Sequence, residues 1–82
     1  MSDVADVLLL PAGETARRLG VSRSTVYRLW RDNDLNCVTR RRQRNAVADQ
    51  IAYVIGAIRS GRNGSIEEFA AEWRIKAAAE AA

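Results

Sequence analysis

Hydrogen-bond donors, not catalytic groups, carry the chemistry open to this chain. Arg23, Ser24, Thr25, Tyr27 and Arg28 fall close together, and Arg40, Arg41, Arg42 and Arg44 form a second cluster. Guanidinium groups suit bidentate contacts to phosphate oxygens and guanine edges, and hydroxyls add single bonds to either. Bond-making chemistry fits poorly. The 82 residues hold no His and one Cys, Cys37, so neither a metal site nor an internal disulfide is expected. Carboxylates would have to act alone, and no pair is set up for general acid–base work. The expectation is a binding protein that is not an enzyme and takes no cofactor, metal or small-molecule ligand.

Charge points to the kind of ligand. Residues 17–44 hold nine arginines (17, 18, 23, 28, 31, 40, 41, 42 and 44) against Asp32 and Asp34, net +7. The remaining segments hold four basic and eight acidic residues, net −4. One basic part in an otherwise acidic chain is what a single phosphate-facing surface would show. Twelve of the thirteen basic residues are Arg, although an arginine-rich host composition would give the same bias.

The first cluster needs a frame, and residues 14–29 supply one. Ala16 and Leu19 give a first helix an apolar stripe. Gly20 can adopt the left-handed conformation that ends it. Val21 fills the corner, and Ser22 is a natural N-cap for a second helix. Val26 and Leu29 then face the first helix, leaving Arg23, Ser24, Thr25, Tyr27 and Arg28 outward. Each feature is common alone; their joint spacing describes a DNA-reading helix-turn-helix. The plainer alternative is a helical hairpin with a solvated polar face.

Gly20-Val-Ser-Arg-Ser-Thr-Val-Tyr-Arg28, with Leu8 to Leu10 just before the first helix, resembles the excisionase and MerR-like winged helix-turn-helix families. It is most like the excisionases of phages and mobile elements, which are also small stand-alone proteins. The strong match covers residues 8 to about 35, residues 36–58 match loosely, and the last helix has no dependable counterpart. The resemblance implies a two-stranded wing at residues 37–45 whose tip touches the minor groove or the DNA backbone. Cys37, Val38 and Thr39 would supply its first strand, and Arg40, Arg41, Arg42 and Arg44 its tip. Two departures stand out: no glycine turns the tip, and Gln43, Arg44 and Asn45 fill the apolar positions of the returning strand. A regular wing and a basic loop are both open readings, and either brings positive charge to DNA.

The rest of the chain builds the support. Residues 1–7 read as a frayed lead-in, and their acidic character argues against a signal peptide. Leu8 and Leu10 should pack under the motif before Pro11 starts the first helix, residues 11–19; the second helix spans 23–32. Trp30 closes the core edge and Leu35 tucks inward. Asn45 is a candidate cap for a third helix, 46–59, whose apolar face is Val47, Ile51, Val54, Ile55 and Ile58, with Tyr53 at the rim. Gly61 and Gly64 mark the clearest break. Ser65 and Glu68 form a capping-box signature for a fourth helix, 65–80, with Ile66, Phe69, Ala70, Trp73 and Ala77 on one face. That helix either folds back on a small core or presents Ile66, Phe69 and Trp73 to another protein or a second copy; fold-back is favoured. No apolar run approaches the roughly 20 residues of a membrane span.

The expectation is thus one mainly α domain over residues 1–82, winged-helix-turn-helix-like, with residues 8–59 as the DNA-binding core. Arg23, Ser24, Thr25 and Arg28 would read base edges, Ser22, Tyr27 and Arg31 would contact phosphates, and Arg40 to Arg44 would grip the adjacent groove or backbone. The resemblance implies an excisionase that binds duplex DNA in several copies, bends it and directs an integrase, in a bacterial host's reducing cytoplasm. A small phage repressor is the alternative, and a protein-interaction module working through the last helix is the second.

Overall fold

A computed structural model describes residues 8–81; the expectation for residues 1–7 lies outside them. Chain order is β1 (Leu9–Pro11), α1 (Ala12–Leu19), α2 (Arg23–Arg31), β2 (Cys37–Arg40), β3 (Gln43–Val47), α3 (Ala48–Arg59) and α4 (Ile66–Ala81). The four helices and three-stranded antiparallel sheet make a mainly α winged helix-turn-helix fold.

Local chemistry sets the helix ends. Pro11 stands before α1 with φ −67°, the value its ring imposes and a helix start accepts. Thr15 ties that start down, its hydroxyl donating to the Pro11 carbonyl at 2.9 Å and the Leu10 carbonyl at 3.3 Å. Gly20 closes α1 at φ 72°, and the Val21 amide reaches back to the Ala16 carbonyl at 3.0 Å, which satisfies carbonyls the helix leaves open. Ser22 caps α2 by accepting from the Thr25 amide at 3.2 Å. The turn of the motif is built as its residues require.

The wing is regular. β2 and β3 pair antiparallel from Cys37 opposite Ala46 to Arg40 opposite Gln43, so Arg41 and Arg42 alone make the turn. Both are left-handed, at φ 52° and 66°, the geometry of a type I′ hairpin turn, where Asn-Gly is the usual pair. Register is decided at the other end of β3. Ala46 is fully buried, and β3 is the central strand because β1 pairs along its far side, Leu9 opposite Val47 and Pro11 opposite Asn45. A slip by one residue would drive Asn45 or Val47 into the space only a methyl fills, so the turn accepts its strain.

This strand changes the expected start of the third helix. Ala46 and Val47 belong to β3, and α3 begins at Ala48 with Val47 at the cap and no side-chain cap bond. Asn45 is not the cap; its side-chain amide donates to the Val38 and Gln43 carbonyls within the hairpin. The inward line of α3 is Gln50, Ile51, Val54 and Ala57. Ile58, expected inside, is 47% exposed, because the small Ala57 closes the last buried turn. Leu8, also expected inside, is 48% exposed: it lies before β1, whose one buried residue is Leu10.

Val26, Leu29, Trp30 and Leu35 join Leu10, Ala16, Ile51 and Val54 in one core. α4 folds back onto α3 and adds Phe69 and Ala70 to it. Its capping box forms as the sequence implies: the Glu68 amide donates to the Ser65 hydroxyl at 3.1 Å and the Ser65 amide to the Glu68 carboxylate at 2.8 Å. Phe69 is 2% exposed, so it fills the protein's own core and is not open to a partner. Ile66 packs against that core and Trp73 is half-buried. A Cβ at Gly64 would fall 2.9 Å from the Phe69 ring, which makes glycine the residue that fits there. Arg62 covers the same ring at 5.1 Å and holds Glu72 through two bonds of 2.7 Å, with the Tyr53 hydroxyl also donating to Glu72.

Candidate nucleic-acid interface

α2 turns Val26, Leu29 and Trp30 into the core, and everything between them faces out. Arg23, Ser24, Tyr27, Arg28 and Arg31 are exposed and Thr25 is half-buried. Tyr27 is braced from beneath by Trp30, the rings meeting edge to face at 5.5 Å and 80°, so its hydroxyl projects from an anchored ring. Ser22 and Thr25 are partly engaged already, their hydroxyls 3.1 Å apart at the cap. Arg31 leans on Asp32 at 3.5 Å, an exposed pair that yields readily to a phosphate.

The tertiary structure brings the two arginine clusters together. Arg23 and Tyr27 of α2 and Arg42, Gln43 and Arg44 of the wing line one open groove of about 430 Å³, with the start of α1 as its third wall. Arg40 and Arg41 lie outside its lining and are exposed. Arg28 and Arg31 stand further along α2. Of the expected site residues, Arg23, Tyr27, Arg42 and Arg44 therefore share the groove, and the others lie outside its lining. The charged residues of the groove, Arg23, Arg42 and Arg44, are all cationic, whereas Asp32 caps the far end of α2 and Asp34 follows it in the chain.

Three contributors escape a reading of the sequence. Gly13 makes room for Arg23: a Cβ there would sit 2.7 Å from Nη2 of the guanidinium. A glycine inside a short helix, where alanine would be about 1 kcal/mol better, is the available signal. Gln43 lines the groove, although in the sequence it stands out only as a polar residue in a strand's apolar position. Glu14 gathers Arg17 at 2.6 and 2.7 Å and Arg18 at 2.9 Å. Hydrogen bonds from Arg17 and then Arg18 hold its carboxyl below the usual carboxylate range. Two of the nine arginines in the basic segment are thus neutralised in part by α1 itself.

Among the described residues no group of three or more His, Cys, Asp or Glu side chains is placed to hold a metal ion, and no helix is long and apolar enough to cross a membrane. A reading helix set against a basic wing defines the class: a winged helix-turn-helix DNA-binding domain. Residues 10–33, under a third of the chain, match the family model of the helix-turn-helix domain of resolvase. That match spans β1 from Leu10, α1, the turn and α2. No curated protein and no solved structure matches the chain.

Proposed function

We propose that this protein is a small architectural DNA-binding factor of the excisionase kind. It binds a specific duplex site, bends it and directs an integrase toward excision. The observation that carries the reading is the groove where Arg23 and Tyr27 of α2 face Arg42 and Arg44 of the wing. α2 lies in the major groove, where Arg23, Ser24, Thr25 and Arg28 meet base edges. Ser22, Tyr27 and Arg31 hold phosphates, and Arg40, Arg41, Arg42 and Arg44 grip the neighbouring groove or backbone. The likeness to a resolvase helix-turn-helix supports a recombination setting. The protein acts by binding rather than catalysis, in the cytoplasm of a bacterial host, with an integrase and further copies of itself as partners on DNA.

The test begins with selection of bound sequences from a random duplex library, followed by circular-permutation bending and an excision assay with a cognate integrase. Bending with loading of several copies on repeated half-sites is expected. A two-fold symmetric site bound without bending would make the protein a repressor. The absence of any duplex binding at low salt would sink both readings and return attention to α4 and a protein partner, which burial of Phe69 already disfavours.

A further inference from the structure

Residues 32–36 carry the chain from the recognition helix to the wing, and side chains from α3 and α4 hold them. Arg74 of α4 spans two successive carbonyls: Nη1 donates to Asn33 at 3.0 Å and Nη2 to Asp34 at 3.4 Å. Asn33 is itself left-handed, at φ 61°. Gln50 of α3 is fully buried; its Oε1 accepts from the Asn36 amide at 2.9 Å. Its Nε2 donates to the Asn36 side chain at 3.4 Å and to the Ala70 carbonyl of α4 at 3.3 Å. Leu35, between the two anchor points, is sunk in the core. A short linker is thus fixed at three of its five residues by polar groups the DNA-binding face does not use.

We propose that Arg74, with Gln50, is a positioning residue for DNA binding: α4 is a strut that sets the wing against the recognition helix without touching DNA. The proposal rests on the reading of the α2–wing face as the DNA site. Its mechanics follow from the sheet. β3 is held at the base of the wing by β1, whereas β2 pairs only with β3 and enters directly from the linker. From Cys37 to the tip is roughly 13 Å of strand, so about 10° of rotation at the linker moves Arg41 by about 2 Å. A shift of that size breaks a hydrogen bond to phosphate. The acidic first turn of α4, Glu67 and Glu68, suits a helix kept away from the duplex.

The test uses the full chain with Arg74→Gln, Arg74→Lys and Arg41→Ala, singly and with Arg41→Ala combined with each Arg74 variant. Anisotropy on a random-sequence duplex at low salt is read beside thermal melting and DNA-free amide exchange. Arg74→Gln is expected to melt near the wild type, to bind DNA about fivefold more weakly, and to shrink the factor by which Arg41→Ala weakens binding, since coupled residues are not additive. Arg74→Lys should fall between, because one ammonium cannot span both carbonyls as a planar fork does. Exchange at the amides of residues 34–37 should quicken while Val26 and Ile51 stay protected. Equal Arg41→Ala factors in all backgrounds, or wild-type affinity and exchange in Arg74→Gln, would overturn the strut. Should Arg74→Gln fail to fold, the Arg74→Lys measurements decide by the same criteria. If the wild type binds no duplex, the DNA reading fails, and exchange decides the strut alone: quickened at 34–37 it stands, unchanged it falls.

Discussion

Replacing Arg41-Arg42 with Asn-Gly should make the protein more stable and a weaker DNA binder. Both arginines sit at positive φ, 52° and 66°, and the left-handed region costs an ordinary residue roughly 1–2 kcal/mol. Asparagine tolerates that region and glycine enters it freely. Against the relief stands the extra freedom glycine gives the unfolded chain, about 0.4–1 kcal/mol. The pair should therefore gain about 1 kcal/mol, or some 4–8 °C in melting temperature for a domain of this size. Arg41→Gln/Arg42→Gln is the control, removing the same charges without relieving the backbone. DNA affinity should fall in both variants, with the salt slope shallower by up to about 0.9 for each phosphate no longer neutralised. Melting followed by circular dichroism and a salt titration of duplex anisotropy read the two effects separately. An Asn-Gly variant no more stable than the Gln pair would refute the two-residue turn. An unchanged salt slope would refute contact between the wing tip and DNA.

Three further outcomes are expected. Gly13→Ala should raise helix propensity by about 1 kcal/mol yet displace the Arg23 guanidinium, so melting should hold or rise while affinity drops; unchanged affinity would mean that Arg23 does not need its seat. Glu72 has its carboxyl pulled from 4.5 to about 2 by Arg62 and then by the Tyr53 hydroxyl. A depressed carboxylate stabilises the fold above its ordinary value and loses that contribution as pH falls from about 4.5 toward 2. Glu72→Gln should therefore flatten part of the acid dependence of stability in this window, Glu14 supplying another part, and an unaltered acid limb would count against the network. Leu29→Ala, at a site 1% exposed, should remove about 2–5 kcal/mol; urea unfolding that showed a loss well below this range would mean α2 is not seated on the core as described.

Much of the reading helix is legible in residue order because its determinants are local. Gly20 ends one helix, Ser22 starts the next, and Val26 and Leu29 mark the inner face, each acting within one turn of chain. The capping box of Ser65 and Glu68 is visible for the same reason. The wing is not. Its turn residues argue against a tight hairpin, and the hairpin exists because Ala46 is buried and β1 pairs along β3. Burial likewise decides against Leu8 and Ile58 as core, and the hairpin's own hydrogen bonds against Asn45 as a cap. Phe69 carries no local mark of which surface it will meet, and only the return of α4 onto α3 puts it inside.

For the site, residue order already identifies the groups suited to DNA: arginines, hydroxyls and a tyrosine on one helical face, and a second run of arginines downstream. Long-range packing is what lets Arg23 and Tyr27 share a groove with Arg42 and Arg44, puts Gly13 where it leaves room for the Arg23 guanidinium, and brings Arg74 and Gln50 onto the linker between helix and wing. The physical reason is range. Caps and helical faces follow from neighbours three or four residues apart, whereas the distance between a helix and a wing is set by packing between residues tens of positions apart, which no local pattern encodes.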